Sequence, residues 1–294
     1  MEQKTAFEKA SDIIIYTIIV LFSFMCLYPF IYAIAVSFND GLDTLKGGIY
    51  FIPRVFTLDN YTLIFQEDYI LGSYLISIAR VLSSIILIVL VNALLAYSLS
   101  KKTIKCRKFL NYLVIIPMYI NGGFLPTYLV LKSYGLINNV WVYVLPHVVV
   151  SFYLILLKAF FSELPVEMEE SAFLDGAGHI TLFAKIIFPL SMPVIAVVIL
   201  LAGVYHWNDW FDGVTYMRDI KLYPCASLLF KMLQDNSISN EIMLAISRIR
   251  GDSSVRPEAL KMTMLVVVTV PILFIYPFLQ KYFMKGMMIG AIKG

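Results

Sequence analysis

Long apolar runs without a single charge dominate the pattern of this chain. Six such runs, each of 19 to 27 residues, lie between charged positions, and the other gaps between charges are much shorter. A helix needs about 20 mostly apolar residues to cross the hydrocarbon core of a bilayer, which is about 30 Å thick. The pattern therefore predicts six membrane-spanning helices, at residues 13–36, 70–99, 109–131, 139–160, 187–210 and 260–281.

The length of these runs also indicates the kind of secondary structure. Lipid cannot satisfy backbone hydrogen-bonding groups, so only helices and closed barrels span membranes. Barrel strands are short segments of alternating hydrophobicity, whereas these runs are long and uniformly apolar. We therefore expect an all-α integral membrane protein. The first run is too long for a signal peptide and no small-residue cleavage site follows it, so we expect it to persist as a helix.

Composition narrows the class of protein further. The 294 residues are 60% hydrophobic and 15% charged, and the mean hydropathy is +0.81. Soluble domains average about 45–50% apolar and about 25% charged residues, so a soluble, disordered or collagen-like chain is excluded. The net charge of +3 gives no reason to expect a nucleic-acid partner. The three cysteines are far apart and fit neither a disulfide scaffold nor a zinc site.

Basic residues predict the orientation of the helices. Five of the eight positions from 101 to 108 are basic, namely Lys101, Lys102, Lys105, Arg107 and Lys108. Short cytoplasmic loops carry an excess of such residues. We therefore expect a multi-pass membrane protein with both termini in the cytoplasm. The long segments 37–69 and 212–259 then lie outside, and a short helix is expected at 225–234.

The inside segment 161–186 has the pattern of a short amphipathic helix pair. Pro165 suits a first helical turn. Acidic residues follow near the positive end of the helix dipole, at Glu167, Glu169 and Glu170. Spacings of seven and four residues mark one apolar face, formed by Val166, Phe173 and Ala177.

The end of this first helix carries a turn signal. Gly176 indicates either a left-handed backbone or a close approach of another chain segment, and Asp175 is expected to hold the turn by side-chain hydrogen bonds to the backbone. Such a helix can bind a groove on a cytoplasmic partner or lie on a lipid surface. Surface helices usually have a Lys/Arg-rich polar face, so the acidic face here favours a partner.

These residues resemble a known family. The run Glu170-Ser171-Ala172, then Gly176, then Ile186-Ile187-Phe188-Pro189 resembles the EAA loop of permease subunits of binding-protein-dependent ABC importers. Ser171 and Phe188 stand where that motif usually has alanine and leucine. Residues 56–61, 96–101, 207–210 and 285–294 are similar to the carbohydrate-uptake, maltose-permease-like branch. Residues 122–136 resemble a subgroup that works with lipoprotein binding proteins and complex or plant-derived oligosaccharides.

The resemblance implies the type I ABC importer permease fold with six transmembrane helices. Residues 1–69 would form an N-terminal helix and an extracytoplasmic segment, 70–281 the permease core, 161–190 its EAA coupling loop, and 282–294 a cytoplasmic tail. Seven residues of that loop would couple the permease to an ATPase: Glu169, Glu170, Ala172, Asp175, Gly176, Ala177 and Pro189.

The resemblance also implies the partners. They are a second homologous permease subunit, two cytoplasmic ABC ATPase subunits, an extracytoplasmic solute-binding (lipo)protein and a transported sugar or oligosaccharide. The chain has no G-x-x-x-x-G-K-[ST] phosphate loop, so ATP and Mg are expected in the partner ATPases. We expect no cofactor, metal or catalytic residue in this chain, which would not itself be an enzyme.

Several polar residues lie inside or at the ends of the predicted spans. Arg80 is about 16 Å along its span from Tyr69 at 1.5 Å per residue, so it should face the protein interior or water and pair with a carboxylate or the partner permease. Candidates for lining a sugar pathway are Arg80, Asn92, Tyr119, Asn121, Tyr205, Asn208 and Asp209. Hydrogen bonding between helices is the other interpretation of each.

One further class of transporter competes with this interpretation. An ion-coupled secondary transporter of a small polar solute would favour intramembrane acids and broken helices in matching halves. The predicted spans contain almost no interior carboxylate, and a loop of the EAA type has no use in such a protein. A membrane-bound enzyme is disfavoured because no His/Asp/Glu cluster is apparent.

Overall fold

The computed structural model describes residues 6–66, 68–101, 103–234 and 256–291. Three helices are long and apolar enough to cross a membrane: Lys9–Ser37, Tyr69–Ser100 and Pro257–Ile275. Three further helix pairs reach that length only if the two bent halves of each are counted together. Length and composition thus allow three spans, or up to six, and the number six stays a prediction.

Helices make up most of the described chain. The first seven are α1 (Ala6–Ser37), α2 (Gly41–Thr44), α3 (Asp59–Gln66), α4 (Asp68–Ser100), α5 (Arg107–Tyr119), α6 (Phe124–Ser133) and α7 (Ser151–Ser162). Two 3-10 turns, Val140–Tyr143 and Leu145–His147, precede α7. The others are α8 (Val166–Leu174), α9 (His179–Leu182), α10 (Phe188–Leu190), α11 (Met192–Asn208), α12 (Phe211–Tyr216), α13 (Cys225–Gln234) and α14 (Pro257–Ala291).

Four elements bear directly on the predicted boundaries. A π-helical turn, Phe183–Ile187, joins α9 to α10, and a 3-10 turn, Ile220–Leu222, precedes α13. The short helix expected at 225–234 is confirmed by α13. The last helix, α14, continues to Ala291, ten residues beyond the predicted end of the sixth span and into the predicted tail.

The chain divides into two compact units. The N-terminal unit comprises Met1–Ile70 with Lys231–Val270, and the core unit comprises Leu71–Phe230 with Pro271–Gly294. In the N-terminal unit, none of the most apolar stretch of α1 is buried. Because α1 is apolar along its length, this surface is suited to lipid or to another protein chain.

Asn39 organises the polar part of the N-terminal unit. Its Oδ1 accepts hydrogen bonds from the backbone N–H groups of Arg54 (2.8 Å) and Val55 (2.9 Å). Its Nδ2 donates to Asp43 Oδ2 (3.2 Å) and Thr44 Oγ1 (3.0 Å). Burial raises the pKa of the Asp43 carboxyl, but hydrogen bonds from Asn39, Arg54 and another basic side chain outweigh it and lower the pKa from its ordinary value.

The core unit has one main apolar cluster, to which α4, α7 and α11 contribute. Leu154, Leu157 and Val198 are almost completely buried there. Ala93 and Ala96 of α4 lie in the same cluster, and such small residues allow helices to approach closely. The chain between α7 and α11 also contributes side chains to this cluster. These contacts hold the 161–190 segment, described below, against the core unit.

The span predicted at 109–131 is not one straight helix. The axes of α5 and α6 meet at 117°. Pro117 lies inside α5 and removes one backbone donor, while Gly123 adopts a φ of +83°, which glycine tolerates best. Asn121 Oδ1 accepts a hydrogen bond from the Gly123 N–H at 2.9 Å, so a side chain satisfies the interrupted backbone.

Two other predicted spans are also broken. In the span predicted at 139–160, the 3-10 segment Val140–His147 meets α7 at 45°. In the span predicted at 187–210, His179–Leu190 meets α11 at 78°. The second break lies at Ser191, whose hydroxyl donates to the Ile187 carbonyl at 2.7 Å. Pro193 follows as the second residue of α11, where its missing N–H costs little.

Replacing Asn39 should destabilise the N-terminal unit. Asn39→Ala removes five side-chain hydrogen bonds and leaves the Arg54 and Val55 amides without their acceptor, which should lower the free energy of unfolding by about 1–3 kcal/mol. Thermal unfolding of the purified protein in detergent measures this. Thr62→Ala is the control, because its hydroxyl makes an exposed bond to the Asp59 carbonyl in the same unit. Equal stability of the two variants would contradict the role of Asn39.

Candidate functional site

The 161–190 segment folds as the predicted helix pair. The first helix, α8, begins directly after Pro165, which occupies the N-cap rather than the first turn. Glu167 and Glu169 lie in that first turn, where the helix dipole favours negative charge. The chain then turns into α9 and passes through the π-helical turn to α10.

Backbone hydrogen bonds close the turn between α8 and α9. The Gly176 N–H donates to the Phe173 carbonyl at 3.0 Å, and the Ala177 N–H donates to the Ala172 carbonyl at 2.9 Å. Gly176 has a φ of +81°, and a Cβ there would meet no atom within 4 Å. The left-handed backbone predicted for Gly176 is therefore confirmed. No described segment of the chain approaches Gly176 closely enough to require glycine.

The role expected of Asp175 is wrong. The structure gives its side chain no hydrogen bond to any described residue, while its backbone N–H bonds to the Ser171 carbonyl at 3.0 Å. The glycine conformation and the backbone bonds therefore hold the turn, and the Asp175 carboxylate is exposed.

One face of the segment anchors it to the core unit. Ala172, Leu182 and Ile187 are buried in the main apolar cluster. Glu169 forms an ion pair with Lys101, the residue that follows the end of α4. The Lys101 ammonium also lies 4.2 Å from the centre of the Tyr97 ring.

The opposite face is uncovered. The side chains of Leu174 and Ile180 are 89% and 84% exposed, and the Glu170 carboxylate is exposed beside them. The apolar face predicted from Val166, Phe173 and Ala177 is not the anchored one, since Val166 is 61% exposed. Pro189 is exposed as well. The segment thus presents acidic and apolar groups that no described part of the chain covers.

A second cluster surrounds Arg80 in the core unit. The side chain is almost completely buried and forms ion pairs with Asp209 and Asp212. Arg80 Nη1 donates to the Asp209 carbonyl at 3.0 Å, and Nη2 lies 2.9 Å from Asp212 Oδ2. The guanidinium carbon lies 4.7 Å from the centre of the Tyr143 ring. The expected interior position and carboxylate pairing of Arg80 are therefore confirmed.

Histidines extend this cluster. His147 Nε2 lies 3.0 Å from the same Oδ2 of Asp212 that Arg80 contacts. The rings of His147 and His206 are 5.5 Å apart, and that of Tyr205 is 5.2 Å from His206. In the described part of the chain, no group of three or more His, Cys, Asp or Glu side chains is arranged to hold a metal ion.

Three of the pathway candidates have little exposed surface. Arg80 and Asn92 are 3% and 0% exposed, and the Asp209 side chain is 11% exposed. Asn92 donates to the Val148 carbonyl (2.7 Å) and accepts from the Val150 N–H (3.1 Å). It therefore satisfies the backbone at the break before α7 and has no free surface for a solute.

The remaining pathway candidates are exposed. Tyr119 is 79% and Tyr205 50% exposed, and Asn121 and Asn208 are exposed too. All four lie at or near the ends of broken helices. A separate cavity of about 140 Å³ has apolar lining residues, among them Val81, Ile199 and Ile275, so it lacks the hydrogen-bonding groups that a sugar needs.

Asp212 and His147 belong to the Arg80 cluster but are not among the predicted site residues. A signal for Asp212 exists, because it lies three residues after Asp209 at the end of an apolar run. Two acids at helical spacing beside a membrane span are expected to share a counter-ion. His147 carries no comparable sequence signal.

Comparisons with known proteins identify the class. The chain is 36% identical over 287 residues to the polygalacturonan/rhamnogalacturonan transport system permease protein YtcP of Bacillus subtilis strain 168, a match that covers 98% of this chain and 99% of that relative. It is 38% identical over 270 residues to protein LplC of the same strain, with 90% and 89% covered. No family model matches.

The fold agrees with these relatives. The crystal structure of a bacterial ABC transporter that imports the acidic polysaccharide alginate contains a chain of the same fold, with a TM-score of 0.87 at 22% identity, covering 96% of this chain and all of that one. The fold is that of an ABC importer permease. The chain belongs to the family of permease subunits of sugar and oligosaccharide ABC import systems.

Family membership decides several of the sequence predictions. The chain is a multi-pass membrane permease that contributes to the translocation pathway of an ABC importer. It binds no cofactor and is not an enzyme, because a partner ATPase hydrolyses ATP in such systems. The alternative of an ion-coupled secondary transporter is not supported.

Loss of the Arg80 charge should strongly destabilise the core unit. Arg80→Met leaves Asp209 and Asp212 buried without their counter-charge, and breaking a buried pair in this way costs about 3–5 kcal/mol. Denaturant unfolding of the purified transporter in detergent measures the loss, with the exposed Lys132→Met as the control. Adding Asp209→Asn and Asp212→Asn should recover part of the stability. An Arg80→Met protein as stable as the control would contradict the pairing.

Proposed function

We propose that the 161–190 segment, hereafter the coupling loop, is where cytoplasmic ATPase subunits drive this permease. The main support is its two-sided character: one face is anchored in the core unit, while the other presents Glu170, Leu174 and Ile180 uncovered. A helix with an exposed apolar and acidic face fits a groove on a partner protein. The residues proposed to take part are Glu169, Glu170, Ala172, Gly176, Ala177 and Pro189, with the exposed Asp175 as a surface charge.

The two faces have different tasks in this proposal. Glu170 and the exposed apolar side chains contact the ATPase, and the Glu170 carboxylate accepts a charge-assisted hydrogen bond from a basic group there. Ala172 and Glu169 hold the loop to the permease. Gly176 gives the turn its left-handed geometry, which sets the angle between α8 and α9.

We propose the remaining assembly by analogy with the family. A second homologous permease forms the other part of the pathway, two ATPase subunits bind ATP and Mg, and an extracytoplasmic solute-binding lipoprotein delivers the solute. The coupling loop, the basic residues 101–108 and both termini lie on the cytoplasmic side of the bacterial cell membrane. This arrangement is supported by the excess of Lys and Arg in the segment next to the loop.

We assign the solute contacts to the exposed candidates Tyr119, Asn121, Tyr205 and Asn208. Sugars are bound by hydrogen bonds and by aromatic faces, and these side chains supply both. The substrate is an oligosaccharide, and the relative YtcP, whose name refers to polygalacturonan and rhamnogalacturonan, makes galacturonate oligomers the first to test.

An uptake assay tests the substrate class. Cells that lack the gene for this chain should lose accumulation of labelled galacturonate oligomers and regain it with the intact gene. Depletion of ATP should abolish the uptake, whereas an uncoupler that leaves ATP intact should not. Normal uptake without this chain would count against galacturonate oligomers, and neutral arabino- and galacto-oligosaccharides are compared in parallel.

Substitutions in the coupling loop test the ATPase contact. Glu170→Lys reverses a charge on the exposed face, and Gly176→Arg strains the left-handed turn and adds bulk. Both should leave membrane insertion intact but lower substrate-stimulated ATP hydrolysis by about tenfold or more. Gly176→Asn is the control for backbone geometry, because Asn adopts the left-handed conformation more readily than most residues. Full uptake and normal ATPase binding by Glu170→Lys would refute the contact.

A further inference from the structure

We propose that Lys101 and Tyr97 form a socket on α4 that sets the orientation of the coupling loop by holding Glu169. The proposal rests on the proposed function of that loop. It gives Lys101 and Tyr97 positioning roles that the basic cluster at 101–108 and the apolar run at 70–99 do not suggest. It also separates the tasks of two adjacent acids, with Glu169 turned toward the permease and Glu170 toward the ATPase.

The ion pair at the centre of the socket is only partly accessible to solvent. The side chains of Lys101 and Glu169 are 26% and 15% exposed. Fully exposed pairs contribute little because water and salt screen them. Partial removal from water strengthens the attraction between the two charges, and the position of Lys101 over the Tyr97 ring adds a cation–π contact.

The aromatic floor of the socket is fixed by its surroundings. The Tyr97 ring centre lies 6.1 Å from that of Phe161 at the end of α7, and 5.2 Å from that of Phe183 in the π-helical turn. The ring is therefore held by the first residue of the coupling loop and by the π-helical turn within that loop. Its hydroxyl is buried and has no hydrogen-bond partner among the described residues, so the ring itself is the functional group.

The helical geometry of α8 fits attachment at two points. Glu169 and Ala172 are three residues apart and therefore share one face of the helix, and Ala172 is buried in the apolar cluster. Ala172 prevents α8 from lifting away, but a small apolar contact leaves rotation about the helix axis weakly restricted. The directed bond of Glu169 to Lys101 restricts that rotation.

The end of α4, which precedes Lys101, is also restrained. The Arg107 guanidinium donates to the carbonyls of Leu99 (3.3 Å) and Ser100 (3.5 Å), so it satisfies two of the last carbonyls of α4. Lys101 therefore directly follows a helix end that is restrained by hydrogen bonds. Because α4 is continuous from Asp68 to Ser100 and also carries Arg80, a displacement of α8 acts on the helix to which Asp209 and Asp212 are bound.

Charge reversal tests the ion pair. Lys101→Glu and Glu169→Lys each place like charges in the socket, whereas the double variant restores opposite charges in the reverse order. Each single variant, assembled with its partner subunits in proteoliposomes, should transport about tenfold more slowly. The ATPase subunits should still copurify, and the substrate concentration for half-maximal transport should be unchanged. The double variant should recover most of the rate.

Matched variants control for general damage to α8 and α4. Glu163→Lys makes the same charge change at an exposed residue just before α8, outside both the socket and the residues proposed to contact the ATPase, and should transport normally. Glu169→Gln removes the charge with little change of shape. It replaces Glu169→Lys if the reversed charge prevents folding, and it should also transport more slowly. Tyr97→Phe keeps the ring and should transport normally, whereas Tyr97→Leu should be slow.

The outcomes separate this proposal from the function on which it rests. Normal transport by both single reversals, or no recovery in the double variant, would overturn the socket. So would equal rates for Tyr97→Phe and Tyr97→Leu. The function of the coupling loop is tested independently by Glu170→Lys, which is expected to release the ATPase subunits and not to be rescued by Lys101→Glu. A Glu170→Lys complex that stays intact and active would refute the function itself.

Discussion

The charge of Arg80 is the constraint on which the arrangement of the core unit depends. A guanidinium inside an apolar helix cannot remain in hydrocarbon without opposite charge and hydrogen-bond acceptors. Asp209 and Asp212 supply both, the first from the residue that caps the end of α11 and the second from α12. His147 joins the same carboxylate from the segment before α7. Neutralising one cation therefore ties together three segments that lie far apart in the chain.

The same requirement explains why the broken helices are tolerated. Every interruption exposes backbone donors or acceptors that lipid cannot satisfy. Asn92, Asn121 and Ser191 each place a side-chain hydrogen bond at one of the breaks. The polar residues of the predicted spans thus fall into two groups. Some have their polar groups engaged in hydrogen bonds or ion pairs within the fold, and the others are exposed. The solute contacts proposed above are assigned to the second group.

The coupling loop differs from the Arg80 cluster, because no described part of the chain covers its outer face. Leu174 and Ile180 are apolar and nearly fully exposed, an arrangement that favours association with another protein. A force applied to that face can act on the permease only if the loop is attached firmly on its inner face. In the proposed function, Ala172, Glu169 and Lys101 provide that attachment, while the exposed residues of α8 contact the ATPase.

The sequence by itself determined the features that depend on neighbouring residues. The predicted helix at 70–99 matches α4 within two residues, α13 lies where it was expected, and the left-handed glycine ends α8, because run length, helical period and turn chemistry are local properties. The bends were not predicted, although Pro117 and Gly123 signal one of them, because a long apolar run looks the same whether straight or broken. Only the tertiary structure decided that Arg80 pairs with acids 129 and 132 residues away, and that Lys101 of the basic cluster holds Glu169. Burial and charge pairing between distant segments are set by packing in three dimensions, which the order of residues does not reveal.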